Sequence, residues 1–242
     1  MYLNGLSWAP WVERANNRGF DAIAPSWPFH DGEPARLRET LAPGLGRLTF
    51  GDVVASLKTV IDALPERPLL VGHSIGGLAT QKLVADGYAR AAVAISSAPP
   101  QGVLSLAPDF FRANWPHINP FAGSRPIRMT KPRFHYTFAT TMTRADSDTA
   151  FDELVVPESR NVPRSTLTSR AHVDFDAEHV PLVMFAGDTD HLTPEALIRK
   201  NAARYRQPAR TSSATSRGGR RSPTRPSTSS SSSSADGRPR RR

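Results

Sequence analysis

The stretch Leu69-Leu70-Val71-Gly72-His73-Ser74-Ile75-Gly76-Gly77-Leu78 constrains the fold more than any other part of the chain. A short apolar run with strand character passes through Gly-x-Ser-x-Gly into Ile75 to Asp86, where apolar residues recur at helical intervals. A strand that enters a helix this abruptly must turn a sharp corner, and glycines two residues before and after the serine remove side chains expected to collide there. Ser74 is then pushed out at the carboxyl edge of a sheet. Its oxygen lies near a helix amino terminus, where the amide of Ile75 can donate to a developing oxyanion. Gly-x-Ser-x-Gly alone also occurs in structural glycine turns. The readable strand before it and helix after it favour the corner.

The rest of the chain supplies a setting for such a corner. Strands are expected at Tyr2 to Leu3, Asp21 to Ala24, Leu69 to Gly72, Ala92 to Ser96 and Leu182 to Ala186. Helical spacing covers Trp8 to Arg18, Phe50 to Leu64 and Ile75 to Asp86. Thr193-Pro194 reads as a cap and first position of a last helix reaching Tyr205. Alternating strands and helices imply an α/β domain with a mostly parallel sheet and helices on both faces. Residues 101 to 180 break the rhythm with Pro and aromatic residues and with helices expected near Arg133 to Met142 and Ala145 to Leu154, which suits a helical lid inserted after a strand.

Composition narrows the chemistry. There are no cysteines, so disulfides, thiolate metal sites and a cysteine nucleophile are excluded. No stretch approaches a membrane span and the first ten residues hold no apolar leader, so a cytoplasmic location is the expectation. The net charge of +9 is uneven: residues 207 to 242 hold nine Arg and one Asp, a net of +8, which leaves +1 for the first 206. Those last 36 residues contain no Val, Leu, Ile, Met, Phe, Tyr or Trp and include the serine run Ser229 to Ser234. A folded domain at 1 to 206 followed by a disordered tail at 207 to 242 is therefore expected. Nucleic acid is expected as a partner only through that tail.

Gly72-His73-Ser74-Ile75-Gly76-Gly77 resembles the nucleophile elbow of the α/β-hydrolase superfamily, particularly its lipase, esterase and cofactor-free haloperoxidase-like members, and the likeness extends over about residues 1 to 206. The resemblance implies the α/β-hydrolase fold, a small-molecule substrate, and Ser74 as nucleophile. Asn4-Gly5-Leu6 is similar to the strand-end segment that forms the other half of the oxyanion hole, with Asn in place of His, so Leu6 would supply the second amide; a plain turn is the alternative. Phe29-His30-Asp31-Gly32 resembles the loop at the mouth of the site. Gly187-Asp188-Thr189-Asp190, followed by Pro194, resembles the segment that carries the acid and selects Asp190 over Asp188. No cofactor is implied. His172, Asp174, Asp176 and His179 lack metal-ligand spacing and read as loop polarity.

In this superfamily the chain order is serine, acid, then histidine beyond one further strand. No histidine follows His191. The base, the last strand and the last helix are thus expected to be missing, and the amino end is expected to start two strands late. His73 precedes the nucleophile in a turn that should aim neighbouring side chains apart, and His191 abuts the acid, so neither is a natural base. His30, His117, His135, His172 and His179 have no motif tying them to Ser74. We read the tail as a shifted reading frame, with a genuine basic arm as the rival. Three functions remain open: a serine hydrolase acting by acyl transfer on an ester or related carbonyl compound, impaired by the missing base; a catalytically inactive hydrolase fold; and an acidic-surface or nucleic-acid binder. Phe110, Phe111, Trp115, Phe134, Tyr136 and Phe138 would favour an apolar substrate if they lined the lid, or would serve as plain core.

Overall fold

The computed structural model describes residues 1–103, 119, 121, 123–187, 190, 193–207 and 209–214. Four parallel strands form one sheet in sequential order: β1 (Leu69–His73), β2 (Ala91–Ile95), β3 (Leu182–Gly187) and β4 (Arg210–Ala214). Val71 stands opposite Val93, Val93 opposite Val183, and Phe185 opposite Ser212. The helices are α1 (Ala9–Asn16), α2 (Pro34–Glu39), α3 (Phe50–Asp62), α4 (Ile75–Ala85), α5 (Lys131–Phe138), α6 (Arg144–Leu154), α7 (Asn161–Ser165) and α8 (Glu195–Ala202). α4 crosses from β1 to β2 and α8 from β3 to β4. The long connection between β2 and β3 carries α5, α6 and α7.

Local chemistry explains the helices that hold the sheet. Thr49 and Asp52 close a reciprocal cap on α3, with the Thr49 N–H donating to Asp52 Oδ2 at 2.8 Å. α3 then buries Phe50, Val53, Val54 and Ile61. α4 is apolar on nearly every side and buries Ile75, Leu78, Ala79, Leu83 and Val84, as a helix sandwiched between sheet and α3 must. These side chains meet Ala92, Ala94, Leu182 and Met184 from the strands and Ile198 from α8 in one core. A second, smaller core joins Tyr2 to Ile127, Met129, Phe134, Phe151 and Val155 of the β2–β3 insertion. Arg38 of α2 ties that insertion down by donating to Val155 O at 2.6 Å and Asp152 O at 2.7 Å, near the open carbonyl end of α6.

Three expectations are corrected. Tyr2 to Leu3 is no strand: Tyr2 has φ 60°, its carbonyl accepts from the Val156 N–H at 2.9 Å, its N–H donates to Glu158 Oε2 at 3.3 Å, and Leu3 makes only an isolated antiparallel bridge to Val155. The backbone groups that a sheet would use are committed to the insertion instead. Asp21 to Ala24 is also irregular, with Gly5 packed so close that a β-carbon there would lie 2.2 Å from Ala24 O. Finally, the strand expected to be missing is present. β4 lies within the stretch read as disordered from 207, because pairing to β3 satisfies its backbone while Ala209 and Tyr205 beside it enter the core. Residues 215–242 lie outside the described residues. Among the described residues no helix is long and apolar enough to cross a membrane.

Candidate functional site

At the end of β1 the chain does make the sharp corner. Ser74 has φ 55° and ψ −121°, a conformation that non-glycine residues adopt only at a cost of about 1–3 kcal/mol. The corner is stitched to the neighbouring strand end: the Ser74 N–H donates to Ile95 O at 3.0 Å, and its carbonyl accepts from Ala98 N at 2.9 Å and Leu78 N at 3.2 Å. Close packing relies on Gly72, where a β-carbon would lie 2.3 Å from Gly76 O and from Thr80 Oγ1. At Gly76 a β-carbon would meet nothing within 4 Å. The steric role expected of Gly76 belongs instead to Gly77, whose β-carbon would lie 2.9 Å from that of Ser97.

Ser74 and Asp190 line one cavity of about 210 Å³. Asp190 stands past the carboxyl end of β3, where its carboxylate accepts from the Thr193 N–H at 3.0 Å and from Thr193 Oγ1 at 2.7 Å. That pairing is why Thr193 does not cap the following helix: its hydroxyl is turned to the acid and to Ser96 O, 3.2 Å away, and α8 begins one residue after Pro194. A buried polar network holds α8 to the elbow helix. Gln81 Nε2 of α4 donates to Ser97 Oγ at 2.7 Å, while Gln81 Oε1 accepts from Asn201 Nδ2 at 3.0 Å and from the Tyr205 hydroxyl at 2.9 Å. Burial pushes the Tyr205 hydroxyl pKa well above its ordinary value, so the phenol stays a donor.

The two expected oxyanion donors part company. Ile75 is the first residue of α4, so its N–H has no acceptor within the helix and points out with the positive end of the helix dipole. Neither Ile75 nor Leu6 is among the described lining residues; the Leu6 side chain is 47% exposed, and its N–H donates to Asn4 Oδ1 at 3.2 Å, where Asn4 caps a short turn at Gly5–Trp8. Asn4 Nδ2 in turn donates to His30 O at 3.0 Å and Gly32 O at 2.9 Å, which fixes the loop expected at the mouth. Beneath that loop His30 is buried with Nε2 3.3 Å from Glu158 Oε1, an ion-pair distance without hydrogen-bond alignment. Burial, the largest single influence, opposes protonation of His30, but the charge and polar contact of Glu158 together with the Pro28 carbonyl outweigh it and raise the pKa above the ordinary histidine value.

His73 lines the cavity beside Ser74, contrary to the expectation that the turn would separate them. His73 is exposed, yet the protein near its ring lowers its pKa below the ordinary histidine value by desolvation, helped by the Met1 ammonium and opposed by Asp190. His191 and Asp188, like Phe110, Phe111 and Trp115, lie outside the described residues. Of the remaining lid aromatics, Phe138 lines the cavity, Phe134 is buried in the smaller core and Tyr136 is 63% exposed. Residues that the sequence did not single out also line the cavity: Ser96 just past β2, Thr137 on α5, and Thr140 and Thr141 just after it. Ser96 has φ 41°, an abrupt strand end that only coordinates reveal.

A hydroxyl on a strained corner, a free helix-terminal amide beside it and a carboxylate across the same cavity form a set suited to acyl chemistry. The comparisons with known proteins agree on the fold. The chain superposes on a monoacylglycerol lipase from Paleococcus ferrophilus with a TM-score of 0.63 and 18% identity, over 89% of this chain and 81% of that one. It superposes on tomato methylketone synthase I complexed with 2-tridecanone with a TM-score of 0.65 and 16% identity, over 88% and 85%. A pyrethroid hydrolase from Sphingobium faniae JZ-2 gives 0.61 and 16%, over 88% and 86%. No curated relative matches the chain. The alpha/beta hydrolase family model matches residues 2–218, most of the chain and all four strands of its sheet, and on that match the chain belongs to the alpha/beta hydrolase family.

Proposed function

We propose that the chain is a serine hydrolase that acts by acyl transfer on an ester or related carbonyl compound, with its rate impaired because no residue of this sequence after His191 is a histidine that could serve as its base. The observation that carries this reading is the strained Ser74 at the strand–helix corner, in one cavity with Asp190. Ser74 Oγ attacks the carbonyl carbon and passes its proton to a base from solution. The Ile75 N–H holds the oxyanion, and the tetrahedral intermediate collapses with loss of an alkoxide that takes up a proton. Water then releases the acyl group by the same route. The Leu6 amide joins as a second donor only on leaving Asn4 Oδ1. Asp190 contributes the negative charge that stabilises a protonated base within the cavity.

Binding and oxyanion stabilisation alone leave roughly 10³–10⁴-fold acceleration over water when a member of the triad is removed. Hydrolysis of p-nitrophenyl acetate should therefore be slow but dependent on Ser74, and added imidazole should raise it at least about tenfold by supplying the base. Turnover that is unchanged in Ser74→Ala refutes the proposal. If His73, the histidine among the described lining residues, took the proton instead, imidazole would add nothing and His73→Gln would remove the residual rate.

A further inference from the structure

The cavity around Ser74 is small, and six of its ten described lining residues carry a hydroxyl. The insertion contributes Thr137, Thr140 and Thr141 to its lining, and the ends of β1 and β2 contribute Ser74 and Ser96. None of these five hydroxyls has a hydrogen-bond partner among the described residues. For Thr137 this is a departure from the helical habit of the molecule. Thr59, Thr80 and Thr149 each turn their hydroxyl back to the carbonyl four residues earlier, at 3.2, 3.0 and 3.1 Å, as threonines in helices commonly do. Thr137, in the last turn of α5, makes no such bond among the described residues and lines the cavity that Ser74 lines. The one large apolar side chain among the described lining residues is Phe138.

Size points the same way. An apolar cavity of about 150 Å³ is filled by one benzene, so 210 Å³ takes a group of roughly eight non-hydrogen atoms. A long acyl chain would overrun that volume into solvent, and an apolar one would cover hydroxyls without pairing them. Resting on the reading of Ser74 as nucleophile, we infer that the site takes short esters whose acyl part carries a hydroxyl or keto group, and that Thr137, Thr140 and Thr141 are its specificity-determining residues. The three threonines donate to the oxygen that such an acyl group bears one or two carbons from the scissile carbonyl, and accept from it when it is a hydroxyl.

The test uses the full chain and a set of p-nitrophenyl phosphonates carrying 2-hydroxyethyl, propyl or octyl on phosphorus, with the rate of adduct formation at Ser74 read by mass spectrometry. The 2-hydroxyethyl probe should react about fivefold faster than its near-isostere propyl, the gain of one neutral hydrogen bond, and the octyl probe slowest of all. In Thr137→Val/Thr140→Val/Thr141→Val the hydroxyethyl-to-propyl ratio should fall to about one, as expected for loss of that hydrogen bond. An octyl probe that reacts fastest, or a ratio that the triple variant leaves intact, overturns the inference. If no probe forms an adduct, the reading of Ser74 fails. The inference is then decided by line broadening in the Ser74→Ala chain, where methyl lactate should bind and methyl octanoate should not; the reverse order overturns it.

Discussion

Two glycines four residues apart, both part of the Gly-x-Ser-x-Gly pattern, should respond to alanine in opposite directions. At Gly72 the added β-carbon falls 2.3 Å from Gly76 O, 2.3 Å from Thr80 Oγ1 and 2.6 Å from Gly76 C. Ordinary contact needs 3.5 Å or so, and the atoms in the way are mostly backbone, so β1 and α4 must separate by roughly 1 Å. Overpacking of this kind costs about 1–3 kcal/mol, and the upper end applies where backbone must give. At Gly76 the β-carbon enters open space and the residue lies within α4, so alanine there contributes up to about 1 kcal/mol of stability through propensity and reduced chain entropy. In a domain of this size about 2–4 °C of melting temperature corresponds to each kcal/mol, so Gly72→Ala should melt roughly 4–10 °C lower and Gly76→Ala slightly higher than the parent. Urea and thermal melts followed by circular dichroism read both. A shift of about 1 Å at the corner should also slow phosphonate labelling of Ser74 by up to about 100-fold in Gly72→Ala, with little change in Gly76→Ala. If the two variants lose equal stability, or Gly72→Ala is neutral, the packing assigned to this corner is wrong.

Other consequences follow from the buried polar groups. Glu158→Gln should cost about 3–5 kcal/mol near pH 6, because it leaves His30 buried without its counter-charge. The raised pKa of His30 contributes stability in full below its ordinary 6.5, which is lost as pH rises through the folded value; the lowered pKa of Glu158 contributes above its ordinary 4.5, which is lost as pH falls through the folded value. Denaturant melts should thus show a maximum from about pH 4.5 to 6.5 in the parent, with the decline above 6.5 reduced in Glu158→Gln; a parent profile flat across this range contradicts the pairing. Gln81→Leu should cost about 3 kcal/mol by stranding Ser97, Asn201 and Tyr205, and a double-mutant cycle with Tyr205→Phe should give a coupling of roughly 0.5–3 kcal/mol. Strict additivity of the two changes in a urea melt would deny the network.

What could be read in the sequence was what local signals write. The corner at Ser74 was legible because a β-forming run, two glycines and an apolar helix occupy adjacent residues, and α4 and β3 came within a residue or so of their observed ends. β4 was not legible. Its residues, Arg-Thr-Ser-Ser-Ala, bury little by themselves, and its order comes from an edge of β3 that is distant in sequence. The two strands expected near the amino end failed for the converse reason: their residues have strand character, but contacts with 155–158 claim the backbone of the first, and in the second the Ala22 N–H donates to Asn16 Oδ1 at 3.0 Å. The threonine cluster is not legible either, since nothing in the spacing of Thr137 on α5 and Thr140 and Thr141 after it says that all three meet the cavity. The lid aromatics were the more conspicuous signal, yet Phe134 is core and Tyr136 faces solvent, so only Phe138 served the expectation of an apolar site.

The claim beneath all of this is that the Ser74 hydroxyl is the reacting group of the molecule. Treating the full chain with a fluorophosphonate and mapping the modified peptides tests it directly. The account predicts one adduct, on Ser74, formed faster when imidazole is present and absent from Ser74→Ala. An adduct on another serine, or none on a chain shown by its melt to be folded, contradicts it.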